Sequence, residues 1–500
     1  MYGQDAPSQD ALLLTPSSKD SNILQCHGTP VYQYDVIIVG GGVAGAALAY
    51  ALGKDGRRVL MIERDLSEPD RFMGELLQPG GIEYLKQLHL ESTLDGIDGR
   101  VIYGALTLVG EGQRLQRYPN RPDSGRPYCA IGFHHGRFVN NLRRAATELS
   151  TVTARQGVVS ALIEEPGRGR VLGVSYIPSD SVPRDTVGNT GNLPGPLPAF
   201  APLTVLANGG LSKFQRSYLP RLPTCNSCTY AITLRDCELP VPNHSCLVMS
   251  KLAPVVIYPI SSHETRALVI VPHHVRKMYD NDIRRYLMEK VVPDIPETIR
   301  SKFIEGVEAS SLRFMPNLYL PPSRCAHNGL LFLGDAFSTR HPVTGGGMTV
   351  ALGDVVLLKQ LLSPQVVPSL DDTRVVAARL RVFHWKRKLW SSAITILAQV
   401  YIQIMENQGD PDFSILGFAL AEYFKLGGTA SSTPVGLIGG VYTNPLLLLY
   451  HMNAVVIYGF YRFLISSDSP RTFIGNICRA LSALWAGYNL VLPLVWAQLF

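Results

Sequence analysis

The pattern of apolar and polar positions divides the chain into three parts. The runs 36–39 and 330–333 are apolar throughout, as strands are when both of their faces are buried in a parallel sheet. Between residues 224 and 271 the apolar runs are short and alternate with turn residues, which is typical of an antiparallel sheet. Beyond residue 376 helical patterns dominate. We therefore expect an α/β unit, an antiparallel-sheet domain and a C-terminal helical region.

A glycine-rich turn follows the first apolar run. It contains Gly40, Gly42, Val43, Ala44 and Gly45 in the pattern G-x-G-x-x-G, with a helix predicted over residues 44–52. The first glycine of this pattern permits a tight turn, the second lets a pyrophosphate approach the backbone, and the third lets the helix pack closely on the strand. A second strand, 58–62, leads to Glu63, where a carboxylate can meet the ribose of an adenine dinucleotide. This unit predicts a dinucleotide site and leaves open whether FAD or NAD occupies it.

A second glycine-rich turn follows the strand 330–333. Asp335 comes directly after this strand, and the glycine run 345–347 precedes a helix predicted over residues 348–362. The carboxylate can accept hydrogen bonds from a ribityl chain. The helix N-terminus offers free amides and a positive dipole end to the pyrimidine edge of a flavin, which is negatively charged when reduced. Together the two turns select FAD over NAD.

Three further segments have a less specific pattern. In 74–81, GELLQPGG, apolar side chains flank Gln78 and a Pro-Gly-Gly break, which fits a segment held against a ligand and equally an ordinary turn before a helix over 82–90. Residues 101–108 are predicted as one strand that enters a second layer. Residues 178–202 are predicted as an exposed insertion.

Histidine and cysteine pairs do not predict a metal site. His134 and His135 open an amphipathic helix, but adjacent positions of a helix do not face each other, and no carboxylate or cysteine stands at ligand spacing. Arg137, at the same helix start, is the better functional candidate. Cys225 and Cys228 form a C-x-x-C without the second close pair that zinc requires, so we expect ordinary buried thiols.

Composition indicates contact with lipid. Hydrophobic residues make up 46% of the chain and charged residues 17%, below the roughly 25% charged residues of soluble domains. The net charge is +6, which we interpret as a mild preference for an anionic membrane surface. The basic residues are scattered among acids, without the runs of nucleic-acid-binding proteins, so no nucleic-acid partner is expected. Eight irregularly spaced cysteines suit a reducing compartment.

The two ends of the chain differ in character. Residues 1–33 are polar and irregular, and predict a disordered leader that is neither a signal peptide nor a membrane anchor. The segments 445–465 and 480–500 approach the ~20 apolar residues that cross a bilayer. Tyrosine and tryptophan side chains stand at positions suited to the membrane interface. A buried helical core is the alternative, and Pro493 favours insertion into one leaflet as much as complete spanning.

With these motifs in view, the chain resembles the squalene epoxidase (squalene monooxygenase) family from about Tyr34 to the C-terminus. GELLQPGG and RHPVTGGGMT carry most of the resemblance, with FHHGRF, PVVIYPISSHETR and FKLGGTASSTPVGL in support. The resemblance implies an FAD monooxygenase of the endoplasmic reticulum membrane, with its catalytic domain facing the cytosol. Such an enzyme uses O2 and a flavin hydroperoxide to convert squalene to 2,3-oxidosqualene in sterol and triterpenoid biosynthesis. Its electrons come from NADPH through a separate cytochrome reductase.

The resemblance also implies an architecture and a set of site residues. The fold is α/β, with a Rossmann-type FAD-binding domain (34–100, 130–215 and 325–375), an antiparallel-sheet substrate domain of the flavin hydroxylase type (101–129 and 216–324) and a helical membrane domain (376–500). Gln78 lies near the reactive face of the flavin as the catalytic residue. The expected FAD contacts are Gly40, Gly42, Val43, Ala44, Gly45, Glu63, Arg71, Arg137, the backbone of Val158, Asp335, Gly347 and Met348.

Three positions depart from the family pattern. Ala105 stands where family members place a tyrosine that is hydrogen-bonded to the equivalent of Gln78. Asn208 replaces a usual aspartate, and Gln215 replaces a common arginine. We expect cofactor binding to survive these changes, while rate or substrate position alters. A specialised copy acting on another polyprenoid is one alternative. A non-catalytic carrier of prenyl lipids is another, against which both flavin motifs argue.

Overall fold

The computed structural model describes residues 32–109, 112–179, 195–249, 253–279, 282–309, 312–465 and 470–499. The predicted leader lies almost entirely outside the described residues. The strands are β1 (Val36–Val39), β2 (Val59–Glu63), β3 (Leu76–Leu77), β4 (Arg100–Ile102), β5 (Gly104–Val109), β6 (Gly112–Arg117), β7 (Ala130–Gly132), β8 (Val152–Glu164), β9 (Val171–Pro178), β10 (Leu197–Phe200), β11 (Leu203–Leu206), β12 (Thr224–Arg235), β13 (Ser245–Val248), β14 (Val255–Pro259), β15 (Glu264–Pro272), β16 (Arg313–Tyr319) and β17 (Leu330–Phe332). The helices are α1 (Val43–Lys54), α2 (Pro79–Leu88), α3 (His135–Thr147), α4 (Gln215–Tyr218), α5 (His273–Met278), α6 (Ile283–Tyr286), α7 (Glu297–Ala309), α8 (Gly347–Leu361), α9 (Thr373–Glu406), α10 (Pro411–Lys425), α11 (Gly428–Ile438), α12 (Pro445–Ile465) and α13 (Pro470–Leu499).

A seven-stranded sheet carries both glycine-rich turns. Its order is β10-β9-β8-β2-β1-β11-β17, parallel from β8 to β17, with β9 and β10 added antiparallel at one edge. All residues of β1 are buried, as expected for a central strand covered on both faces. Because the carboxyl ends of parallel strands share one edge, Glu63 at the end of β2 lies on the same side of the sheet as Gly40 and Asp335, which follow β1 and β17.

The second seven-stranded sheet has the order β16-β12-β15-β14-β13-β5-β6 and is antiparallel except between β13 and β5. A three-stranded sheet, β3-β7-β4, is separate from it. The prediction of one strand over 101–108 was wrong, because β4 belongs to the small sheet and β5 to the large one. The break falls at Tyr103 and Gly104, where the chain passes so close to β6 that a Cβ at position 104 would lie 2.0 Å from the carbonyl oxygen of Gln116.

Two further expectations are corrected. The Pro-Gly-Gly of GELLQPGG is the first turn of α2 and not a break before it. Proline is tolerated at a first helical position, where its missing N–H would have no partner within the helix. The predicted insertion over 178–202 contains a strand, β10, which pairs with β9; residues 180–194 lie outside the described residues.

The C-terminal region consists of helices that leave long apolar faces uncovered. The candidate spans are α12, over Pro445–Ile465, and Phe473–Gln498 of α13. Only 17% and 11% of their most apolar windows are buried, so neither is the core helix of a soluble domain. Large side chains such as Ile457 and Trp485 are more than two-thirds exposed. These helices support association of the chain with a membrane.

Candidate flavin site

The first glycine-rich turn has the backbone geometry of a pyrophosphate cradle. Gly40 adopts a positive φ of 106°, a backbone conformation that residues other than glycine rarely adopt. A Cβ at position 45 would lie 1.9 Å from the carbonyl oxygen of Gly40, so only glycine lets α1 start this close to β1. A Cβ at position 42 would meet no atom within 4 Å. The space in front of the helix N-terminus, beside Val43 and Ala44, is therefore open to a ligand.

Glu63 and an arginine that the sequence analysis missed hold this turn from both sides. The backbone N–H of Gly41 donates to Glu63 Oε2 over 2.6 Å. Arg143, buried on α3, donates from Nε to the carbonyl oxygen of Gly41 over 2.7 Å and from Nη1 to that of Ser67. A signal existed in the sequence, since Arg143 stands on the otherwise apolar face of a helix predicted to be amphipathic.

Of Arg71, Arg137 and Val158, which the sequence predicts as FAD contacts, Arg137 lines a cavity. A cavity of about 620 Å³ is lined by residues that include Arg137, Asn140 and Arg143. Arg137 is exposed and donates to the carbonyl oxygen of Ile97. Arg71 and Val158 are also exposed, and no described contact joins either of them to the glycine-rich turns.

The second glycine-rich turn lies beside the first. A Cβ at Gly334 would lie 3.0 Å from the Cβ of Ala44, which places the exposed Asp335 next to the start of α1. Gly347 opens α8, and a Cβ there would meet no atom within 4 Å. Met348 is buried and lies close to Gly74. The structure thus brings together Ala44, Asp335 and the N-termini of α1 and α8.

Gln78 stands directly before α2 and reaches the second turn. Its side chain is 4% exposed. The amide Nε2 donates to the carbonyl oxygen of Thr344 over 2.6 Å. The hydroxyl of Tyr118, which follows β6, donates to Oε1 over 2.5 Å. Sequence analysis missed Tyr118 because no motif marks it.

Buried polar contacts tie the motifs to each other and to the second sheet. Glu75 forms a bidentate ion pair with Arg266 of β15, over 2.7 and 2.9 Å. His135 Nδ1 lies 3.0 Å from the carbonyl oxygen of Gly74, so this nitrogen carries the proton. Burial, helped by the charge of Arg71, lowers the pKa of His135 to about 4. The imidazole is therefore neutral at physiological pH.

The segment before the glycine run is equally buried. His341 Nδ1 accepts the backbone N–H of Val343, and burial lowers the pKa of His341 to about 3. Burial also lowers the pKa of Arg340 to about 10. Among the described residues, the buried Thr344 and Thr349 hydroxyls and Arg340 Nε have no hydrogen-bond partner. The open backbone at Gly42 and Gly347, at the starts of two helices, fits a bound flavin dinucleotide, whose polar groups the free helix amides can bind.

The three positions that depart from the family pattern have different surroundings. Gln215 is buried and donates to the carbonyl oxygen of Ala336 over 3.0 Å, so it braces the turn that carries Asp335. Asn208 is exposed at the end of β11. Ala105 lies on β5, opposite Gln116 and Ser245.

Of the histidines and cysteines singled out in the sequence, His135 contacts Gly74 as described, while the others have partners of their own. His134 pairs with Glu264 over 2.9 Å. Cys225 and Cys228 both lie within 3.7 Å of His273 Nε2. Over the described ranges, no group of three or more His, Cys, Asp or Glu side chains could hold a metal ion.

Fold and site together define an FAD-dependent oxidoreductase. Residues 35–101 match the family model "FAD dependent oxidoreductase". The fold is similar to that of a triple mutant of the flavin-dependent brominase Bmp2, with a TM-score of 0.64 at 16% identity, covering 85% of this chain and 99% of that one. The predicted fold class is therefore confirmed.

The more specific comparisons agree with one another. Residues 200–476 match the squalene epoxidase family model. The chain is 36% identical to squalene epoxidase erg1 of Schizosaccharomyces pombe, over 87% of this chain and 92% of that protein. It is 39% identical to squalene epoxidase 1 of Arabidopsis thaliana, over 93% of this chain and 83% of that protein. The chain belongs to the squalene epoxidase family.

Proposed function

We propose that this protein is an FAD-dependent monooxygenase that epoxidises the terminal double bond of squalene to give 2,3-oxidosqualene. The observation that supports this proposal most strongly is that the chain belongs to the squalene epoxidase family over most of its length and retains both flavin motifs. One atom of O2 enters the alkene and the other leaves as water, with two electrons and two protons consumed. Bound FAD supplies the activation of O2.

We assign the cofactor contacts as follows. Gly40, Gly42, Val43, Ala44 and Gly45 cradle the pyrophosphate, Glu63 binds the adenosine ribose, and Asp335 binds the ribityl chain. Gly347 and Met348 present the N-terminus of α8 to the flavin ring, and Gln78 lies at its reactive face. Arg71, Arg137 and the backbone of Val158 contact the outer part of FAD. The open space at Gly42 and Gly347 and the exposure of Asp335 support these assignments.

The protein's own contribution to the chemistry is a dry, ordered site. Oxygen transfer to an alkene requires no nucleophilic side chain, but it requires water to be excluded from the reacting centre. Gln78, Thr344 and Tyr118 are buried, which supports this role. The antiparallel sheet and its flanks, 101–129 and 216–324, serve as the substrate domain, while 34–100, 130–215 and 325–375 hold FAD.

Electron supply and location complete the proposal. We assign the electrons to NADPH, delivered by a separate cytochrome reductase. Residues 376–500 attach the protein to lipid, and the uncovered apolar faces of α12 and α13 support this attachment. We place the protein in the endoplasmic reticulum membrane with the catalytic domain in the cytosol.

Product analysis tests the proposed reaction. Detergent-solubilised protein is incubated with FAD, NADPH, a cytochrome reductase, squalene and ¹⁸O2, and the lipids are analysed by mass spectrometry. A mono-oxygenated squalene that carries one labelled oxygen is expected. A protein that binds FAD, and whose FAD the reductase reduces, but that leaves squalene unchanged would contradict the substrate assignment.

Ala105 favours a second candidate, in which the protein is a specialised copy that epoxidises another polyprenoid. An alanine on β5 leaves more room in the second sheet than the tyrosine of the family pattern. The two candidates are separated by comparing the wild type with the Ala105→Tyr variant on squalene and on other terpenes. Equal squalene turnover by both, with no turnover of other terpenes, rules out the second candidate.

A further inference from the structure

Tyr118 forms a buried hydrogen bond with a side chain of the flavin site. Its hydroxyl donates to Gln78 Oε1 over 2.5 Å, and both side chains are less than 9% exposed. A glutamine amide can lie in two orientations that differ by exchange of oxygen and nitrogen. The carbonyl oxygen of Thr344 can only accept, so it selects the orientation with Nε2 toward it. The hydroxyl of Tyr118, which stays neutral because burial raises its pKa, then supplies the donor that Oε1 requires.

The selected orientation has a consequence at the second glycine-rich turn. With Oε1 on Tyr118, Nε2 of Gln78 donates to the carbonyl oxygen of Thr344 over 2.6 Å. Thr344 is followed directly by the glycine run that opens α8. The exchanged orientation would set two acceptors, Oε1 and this carbonyl, against each other in a buried site. Tyr118 therefore acts on the turn through Gln78.

The ring of Tyr118 is itself held in place. A Cβ at Gly439 would lie 3.1 Å from its Cε1, so the ring packs against the turn that follows α11. The carbonyl oxygen of Gly439 also accepts the backbone N–H of Gly80, in the first turn of α2, over 2.8 Å. One turn of the C-terminal region thus supports both Tyr118 and the helix that begins after Gln78.

We propose that Tyr118 is a positioning residue of the flavin site, whose hydroxyl fixes the Gln78 amide so that it holds the Thr344 carbonyl at the start of the glycine run. The sequence gives no indication of this role, because Tyr118 belongs to none of the flavin motifs. The inference deepens the proposed function and rests on its flavin site. It requires FAD binding, but it does not require turnover of squalene.

A double-mutant cycle on FAD affinity tests the proposal. The four proteins are the wild type, Tyr118→Phe, Gln78→Ala and the double variant, and the FAD dissociation constant of each is measured by fluorescence quenching. Loss of the hydroxyl leaves Gln78 Oε1 without a donor, so we expect Tyr118→Phe to raise the constant about three- to tenfold in the wild-type background. In the Gln78→Ala background we expect no change, because Tyr118 acts only through Gln78.

Two results would overturn this role. One is an unchanged dissociation constant in Tyr118→Phe, and the other is an equal increase in both backgrounds. Tyr286→Phe, which removes a buried hydroxyl from the core of the second sheet, is the matched control and should leave FAD affinity unaltered. The absorption spectrum of bound FAD gives a second readout, which should shift in Tyr118→Phe and not in the control. Because no readout uses squalene, a failure of the epoxidation assay would not be confused with a failure of this proposal.

Discussion

Arg143 shows how a single side chain can stabilise a cofactor turn without belonging to its motif. Its guanidinium donates to the carbonyl oxygens of Gly41 and Ser67 and lies 3.9 Å from Glu63 Oε2. Burial of the arginine is compensated by these acceptors and by the nearby carboxylate. The side chain therefore links the glycine-rich turn to the loop that follows β2.

We expect Arg143→Met to raise the FAD dissociation constant by about tenfold or more, since the buried carbonyl of Gly41, the carbonyl of Ser67 and Glu63 lose their charged partner. Fluorescence titration of FAD into the apoprotein measures this effect. The matched control is Arg144→Met, because Arg144 is the next residue of α3 and is exposed. Equal affinities of the two variants would contradict the role of Arg143.

Two buried histidines make stability depend on pH. The pKa of His135 is lowered from 6.5 to about 4 and that of His341 to about 3. Below pH 6.5 the unfolded chain binds protons at these positions while the folded protein does not. The free energy of unfolding is therefore highest above the ordinary histidine pKa. It falls as the pH decreases toward 4, and His135 alone accounts for a loss of about 3 kcal/mol.

The free energy of unfolding is measured at several pH values between 4 and 6.5, in detergent, by urea titration followed by tryptophan fluorescence. His135→Asn keeps a side chain that can donate to the Gly74 carbonyl and does not titrate, so its stability should decrease less steeply between pH 6.5 and 4. If the free energy of unfolding depended on pH in the same way in the variant and the wild type, His135 would not contribute to the pH dependence.

At the scale of elements, one buried ion pair fastens the helix of the second flavin motif to the C-terminal region. Asp354 of α8 and Arg387 of α9 form a bidentate pair over 2.8 and 2.9 Å, and both side chains are at most 2% exposed. The guanidinium also lies 4.7 Å from the ring centroid of Phe337. The ion pair holds helix α8 against α9, while the N-terminus of α8, at Gly347, borders open space.

We expect Arg387→Met to lower the free energy of unfolding by about 3–5 kcal/mol, because it leaves Asp354 as an uncompensated buried charge. The double variant Asp354→Leu/Arg387→Met should recover most of the loss, since it removes both charges together. Thermal unfolding in detergent, with and without FAD, compares the three proteins. If the double variant were as unstable as Arg387→Met, the buried charge would not be the cause.

At the scale of the whole molecule, the exposed apolar faces of the C-terminal helices support association of the protein with a membrane. Ile457 on α12 and Trp485 on α13 are 72% and 69% exposed. Uncovered apolar surface of this extent is stable in contact with lipid and unstable in water. We expect the basic excess of the chain to favour an anionic bilayer over a neutral one.

We expect Ile457→Glu/Trp485→Glu to reduce the fraction of protein that floats with liposomes at least severalfold, because each carboxylate is costly inside the hydrocarbon layer. Flotation with neutral and with anionic vesicles measures this fraction. Met278→Glu is the control, since Met278 is similarly exposed, at 73%, but lies on α5, directly after β15 of the second sheet. Unchanged flotation of the double variant would place the lipid contact elsewhere.

The sequence by itself determined the dinucleotide unit, the FAD cofactor, the family and the two apolar C-terminal segments. Each of these depends on local pattern: strand, glycine turn and helix are adjacent in the chain, and a bilayer span is one continuous apolar run. The start of α2 and the break at Tyr103 were not predicted. The first turn of α2 is held by Gly439, which accepts the N–H of Gly80, and Gly104 packs against Gln116 of β6, so both features depend on partners outside the local pattern.

Only the tertiary structure decided which side chains support the flavin site. Tyr118, Arg143 and Arg387 belong to none of the motifs, and their partners lie 40, 102 and 33 residues away. A buried polar group is specified by the group that satisfies it, and that pairing exists only once the chain has folded. Local pattern can therefore locate the cofactor, while the contacts that hold its site in shape are fixed by packing between sheets and helices.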